Sequence, residues 1–182
     1  MSDQDIGRKM VEEEELRLFL EAYEHATTEP LCLASRSESP DFVCTRPNGE
    51  EVGVELTRVT RSPAEEFVDR VLLRQDQQEP QEALAEVFDL LQRKEVKRAR
   101  LYDRLATSTI LVLQLFDCPL DTLSLFITED LQRDFVQNGF LEVWLADYTG
   151  LDAYGDLELF GLKPVRCWGY YQRPNPGRKP FG

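Results

Sequence analysis

Apolar and polar positions alternate most sharply in "EVGVELTRV", residues 51–59. Val52, Val54 and Leu56 point one way and Gly53, Glu55 and Thr57 the other, which is the period of a strand. A shorter run, "DFVCTR" at 41–46, predicts the strand before it, and "LCLASR" at 31–36 a third. Helical spacing takes over at 11–26, where Leu16, Phe19, Leu20 and Tyr23 share one face and Pro30 closes the segment. Ser62-Pro63 starts a second helix over about 63–77, with Pro at the first helical position. "QDQQEP" interrupts it. A long helix over about 81–105 carries Leu84, Val87, Phe88 and Leu91 on one stripe.

The apolar run "TILVLQLF" at 109–116 reads as a buried strand, followed by a strand at 122–127. "TEDLQRDFVQNG" predicts a helix from an N-cap at Thr128 to a C-cap at Gly139. Strands follow near 140–147 and 156–162, and the Pro- and Gly-rich end is irregular. The expected fold is therefore α/β. A mixed sheet in the order α-β-β-β-α-β forms a core over about 11–117, and a β-rich extension covers about 118–182. One domain spans 1–182, a length that supports a proper core.

Composition changes this picture little. Apolar content of 42% and charged content of 30% are those of an ordinary globular chain. No apolar run approaches the ~20 residues of a membrane span. The start, "MSDQDIGRKMVEEEE", does not read as a signal peptide, and the four cysteines form no C-x-x-C pair. The expectation is a cytoplasmic protein with reduced thiols and no membrane partner.

Charge changes it more. A net charge of −13 disfavours bulk nucleic-acid binding. The distribution is uneven, however. Residues 1–30 hold nine acids against three bases, residues 93–104 hold six bases against two acids, and residues 163–182 hold five bases and no acid. The basic segments read either as solvated surface or as phosphate contacts. Trp168, Tyr170 and Tyr171 near the end read better as a cluster packing the tail than as a base-stacking platform. The lone His25, at a helix end, reads as a terminus residue and not as a base.

The turn "R-P-N-G-E" raises the question of chemistry. Pro47 and Asn48 suit the middle of a type I turn and Gly49 the left-handed residue after it. That three-residue loop sets Arg46 against Glu50 and Asp41 against Glu55, whereas a two-residue Asn-Gly loop sets Asp41 against Leu56. In the first register two carboxylates face each other across strands ~5 Å apart. Such a pair is destabilising on an idle surface, and a divalent cation resolves the conflict. One or two carboxylates, with phosphate and water, are what Mg²⁺ uses. If the register differs, the acids point apart and are ordinary surface groups.

"P-D-F" followed after a hairpin by "V-G-V-E-L-T" resembles the PD-(D/E)XK nuclease superfamily, whose core order is the one read above. The resemblance implies a nuclease that uses Mg²⁺ (or Mn²⁺) to hydrolyse phosphodiester bonds of DNA or RNA. Asp41, Glu55 and the Leu56 carbonyl look like its metal ligands. A first-helix glutamate often joins them, and Glu12 ranks first because it continues the face of Leu16, while Glu15 lies to one side. The chain departs from the pattern at Thr57, which stands where the superfamily has Lys. Some branches move that Lys to the following helix, which here carries Lys94 and Lys97, with Lys94 nearer the buried stripe. Arg98 and Tyr102 on the same helix, with Arg173 and Lys179 in the tail, are the residues expected at nucleic acid. The alternative is a catalytically inactive nuclease-fold protein acting as an interaction module. So acidic a domain points to a homodimer mate or protein partner as a source of nucleic-acid contacts. A weaker third reading is an acidic protein that binds a basic surface.

Overall fold

A computed structural model describes residues 3–61, 63–150 and 157–172. The chain runs α1 (Asp3–Thr27), β1 (Cys32–Arg36), β2 (Phe42–Thr45), β3 (Glu51–Val59) and α2 (Pro63–Phe67), which continues as a π-helical turn (Val68–Leu73). Then come α3 (Pro80–Leu101), β4 (Thr109–Leu115), α4 (Leu120–Ser124), α5 (Gln132–Val136), β5 (Glu142–Asp147), β6 (Glu158–Lys163) and β7 (Gly169–Tyr171). The architecture is α/β, with one mixed seven-stranded sheet in which each strand lies beside its sequence neighbours. β3, β4 and β5 are parallel and the outer pairs antiparallel. The strands of the expected extension add to this same sheet.

Apolar layers cover both faces. Leu111, Leu113 and Leu115 of β4 pack with Val87 and Leu91 of α3, Leu120 of α4 and Phe135 of α5. Ile110 and Val112 pack on the other face with Leu16, Phe19 and Tyr23 of α1. Burial on both sides is why β4 and β5 carry near-continuous apolar runs, while the outer strand β1 is mostly exposed. α1 is fastened at both ends of its buried stripe. The Tyr23 hydroxyl donates to buried Glu142 (3.0 Å), which also accepts from Trp144 Nε1 (2.8 Å) and Arg46 (3.2 Å). Tyr148 donates to the Glu15 carbonyl (2.8 Å).

Four expected elements differ. The helix expected over about 63–77 is α-helical only to Phe67 and ends as the π-helical turn at Leu73. Residues 122–127 do not form a strand. Leu120, Leu123 and Ile127 are buried at helical spacing, and the Leu120 N–H donates to the Asp147 carboxylate at 2.7 Å, so a neighbouring strand caps α4. The helix expected over 128–139 shortens to a 3₁₀ turn, Glu129–Leu131, and α5. Asn138 ends it by bonding both the Phe135 carbonyl (2.6 Å) and the Phe140 N–H (3.0 Å). Gly139 therefore caps no helix, and its N–H donates to Glu95. The long helix stops at Leu101, and Asp103 follows with φ of 41°. Two of the three C-terminal aromatics pack, while Tyr170 stays exposed. Trp168 meets Phe135 and Phe160, and Tyr171 meets Trp144. Among the described residues no helix is long and apolar enough to cross a membrane.

Gly53 shows how closely the hairpin sits against its neighbours. A β-carbon there would lie 2.5 Å from the Pro40 ring and 2.6 Å from Thr109 Oγ1, both short and fixed. Gly53→Ala is expected to cost about 1–3 kcal/mol in chemical denaturation, the usual penalty of overpacking. A variant as stable as the parent would contradict this placement of Pro40.

Candidate functional site

The hairpin register decides the site. Phe42 pairs with Val54, Val43 with Gly53, Cys44 with Val52 and Thr45 with Glu51. The turn closes through Arg46 N–H to the Glu50 carbonyl and Gly49 N–H to the Arg46 carbonyl, each 2.9 Å, with Gly49 at φ of 85°. This is the three-residue loop expected from Pro47. One step beyond the ladder Asp41 meets Glu55. The Asp41 N–H donates to Glu55 Oε2 (3.2 Å), and the Leu56 N–H donates to Asp41 Oδ2 (2.9 Å). In a strand the N–H and C=O of one residue project to the same side, so the Leu56 carbonyl faces the same space beyond the end of β2.

α3 supplies the counter-charge. Lys94 Nζ lies 2.6 Å and Lys97 Nζ 2.8 Å from Glu55 Oε1. Residues 94 and 97 are one turn apart, so both reach the same oxygen. Glu55 itself is fully buried. Burial works against its charge, but the two ammonium groups outweigh it and hold its pKa below the ordinary carboxylate value. Asp41 behaves in the opposite way. Burial first, and then the Glu55 charge, push its pKa up to about 6, against the pull of the Leu56 N–H and the two lysines. Two carboxylates set side by side thus divide, with one firmly ionised and one short of positive charge.

Both groups open into a cleft of about 630 Å³, which Lys94, Lys97, Leu56, Phe42, Arg8, Glu12, Glu15, Arg58 and Gln114 also line. Glu12, the first-helix glutamate expected at a metal, reaches this wall but pairs with Arg8 and Arg36. Glu15, expected to lie to one side, is the more buried of the two. Its carboxylate accepts from Gln114 Nε2 (3.1 Å) and pairs with Arg58. Among the described residues no three His, Cys, Asp or Glu side chains group closely enough to cage a metal by themselves.

Gln114 and Arg58 were missed by sequence reasoning, and Glu15 was ranked behind Glu12. Gln114 left a signal, being the one polar residue within "ILVLQL". Arg58 follows Thr57 on the face opposite Glu55 and left none. Arg98 and Tyr102, expected at nucleic acid, are buried. Arg98 is committed to Glu95 and the Ala106 carbonyl and lies over the Phe140 ring. The Tyr102 ring carries Lys97 Nζ at 5.6 Å from its centre, and burial together with the Glu55 charge raises the pKa of its hydroxyl. Arg98 is thus taken up by packing and ion pairing, whereas Tyr102 lies buried beside Lys97 and Glu55 as part of the wall behind the site. Arg173 and Lys179 lie outside the described residues. Thr57 is buried, with an oxygen that has no hydrogen-bond partner.

No family model, curated protein or solved structure matches the chain.

Folded Asp41 binds its proton more tightly than unfolded Asp41. Its charge therefore costs stability as pH rises from about 4 through about 6, and costs nothing below that window. Asp41→Asn is expected to stabilise the protein by about 1–3 kcal/mol at pH 7, with the gain gone near pH 4. Denaturation midpoints across that range test it, and a gain independent of pH would contradict it. Lys94→Met or Lys97→Met alone leaves one cation on Glu55 and is expected to cost about 1 kcal/mol, whereas the double substitution strands a buried charge and costs about 3–5 kcal/mol, more than the two single losses together. Strictly additive losses would show that the lysines do not share the load.

Proposed function

We propose that the chain is a metal-dependent nuclease of the PD-(D/E)XK type that hydrolyses phosphodiester bonds of DNA or RNA. One observation carries the reading: Asp41 and Glu55 lie side by side at the cleft, with two lysines from α3 on Glu55. The element order through β4 is consistent with the core of that superfamily, and Lys94 and Lys97 supply the charge that Thr57 cannot.

The donor set suits Mg²⁺ or Mn²⁺. It comprises two carboxylates and the Leu56 carbonyl, all hard oxygens, in a place where burial and the neighbouring Glu55 charge raise the pKa of Asp41. Glu12 and Glu15 on the α1 wall are the further carboxylates within the same cleft. Bound there, the cation would polarise a phosphoryl oxygen and lower the pKa of a water. The protein's own groups do the rest. Asp41 keeps Oδ2 on the Leu56 N–H, which fixes the orientation of its carboxylate at the cleft. Lys94, exchanging Glu55 for a phosphate oxygen, stabilises the charge that develops in the transition state, with Lys97 beside it. Arg8 and Arg58 give the opposite wall cationic groups for the flanking phosphates.

A second reading has its own support. Two acids and two lysines already balance without a cation, and the whole chain carries −13. An inactive nuclease-fold protein serving as an interaction module would look the same at this site. Calorimetric titration with Mn²⁺, alongside cleavage assays on single- and double-stranded DNA and RNA, separates the two. The nuclease reading predicts binding that Asp41→Asn and Glu55→Gln abolish. It also predicts that Lys94→Ala keeps the cation but loses about 10²–10³ in rate. Absence of both cation binding at millimolar concentration and cleavage of every substrate would leave the module reading.

A further inference from the structure

The segment between β3 and α3 is anchored at its two ends by buried Arg61 and Gln78, and its helical middle lies on the surface. α2 and its π-helical continuation span Pro63–Leu73, and none of their residues with described side chains is buried. Phe67, Val68, Val71, Leu72 and Leu73 are all exposed, Leu72 most at 67%. A helix shorter than ~12–15 residues is marginal on its own and owes its stability to an apolar face packed on something. This one has the apolar residues and no cover. A contiguous exposed patch of this kind marks an interaction surface.

The charges around the patch identify the occupant. The chain carries −13 overall, yet residues 63–74 are close to neutral, with Glu65, Glu66 and Asp69 against Arg70 and Arg74. The signs are also sorted, with acids at the start and arginines at the end. Two copies of the segment laid antiparallel would set Glu65 and Glu66 of one against Arg70 and Arg74 of the other, twice over, with helix dipoles opposed. Glu66 and Arg70 pair within one copy at 3.0 Å, and on association that pair would be shared with its counterpart across the twofold. A strongly acidic partner would be repelled by the rest of the surface, and a basic partner would find richer acidic ground on α1. Self-pairing satisfies both the apolar stripe and the sorted charge.

We propose that the protein self-associates as a twofold dimer through the Pro63–Leu73 helix, packed antiparallel against its copy, with Val68, Val71 and Leu72 at the centre. The proposal is independent of what the cleft does. An ordinary interface covers ~800 Å² on each partner, so neighbouring surface would complete the contact around this apolar centre.

Sedimentation equilibrium of the full chain tests the idea. The wild type is expected to reach twice the chain mass at sub-millimolar concentration. Val71→Glu with Leu72→Glu should weaken self-association roughly thirtyfold or more, the size of a hot-spot loss. Both side chains are exposed, so the circular dichroism spectrum should not change. Glu65→Arg with Glu66→Arg should also weaken the dimer, and adding Arg70→Glu with Arg74→Glu should restore it. A wild type that stays monomeric overturns the proposal, whether or not the patch then binds lipid vesicles or another protein. So does a dimer that survives Val71→Glu with Leu72→Glu, and so does a charge exchange that fails to restore association.

Discussion

A buried carboxylate beside another carboxylate needs positive charge from somewhere, and that requirement organises this protein. Asp41 and Glu55 are brought together by a register the chain cannot slip without turning every side chain of the hairpin to the wrong face. Val52 and Val54 hold that register from the apolar side, packed against α1. On the other side, α3 must run so that residues one turn apart both reach Glu55. The stripe of Val87 and Leu91 against β4 sets that course. The core thus determines where the lysines fall, and the lysines make the buried glutamate tolerable.

The opposite wall of the cleft follows the same logic. Glu15 is almost fully buried, and it is acceptable there because Gln114 and Arg58 bond its carboxylate. Gln114 is itself a polar residue in the most buried strand, paired across the sheet with Arg58. α1 is therefore docked by polar contacts as well as by its apolar stripe.

Much of this was legible in the sequence because the signals were local. The turn residues Pro47, Asn48 and Gly49 determine loop length, loop length determines register, and register determines that Asp41 faces Glu55. Lys94 lay on the edge of an apolar stripe whose period is regular. Other features depend on partners distant in the chain. The expected strand at 122–127 became a helix because Asp147 caps Leu120 and Leu123 joins the core beneath α3, neither of which a local window reveals. Glu15 was underrated because a helical wheel drawn on apolar residues cannot anticipate a buried glutamate satisfied by Gln114. Arg98 and Tyr102 were expected at nucleic acid because charge and aromaticity suggest a phosphate or a base, whereas Glu95 and Phe140 bury them.

The proposed chemistry needs a divalent cation in the space between Asp41 and Glu55. Anomalous diffraction from crystals grown with Mn²⁺ would locate it. A peak is expected within coordination distance of a carboxylate oxygen of each residue, with Lys94 or Lys97 withdrawn from Glu55 Oε1. A well-ordered map in which both lysines still hold Glu55 and no peak lies beside Asp41 would contradict that chemistry.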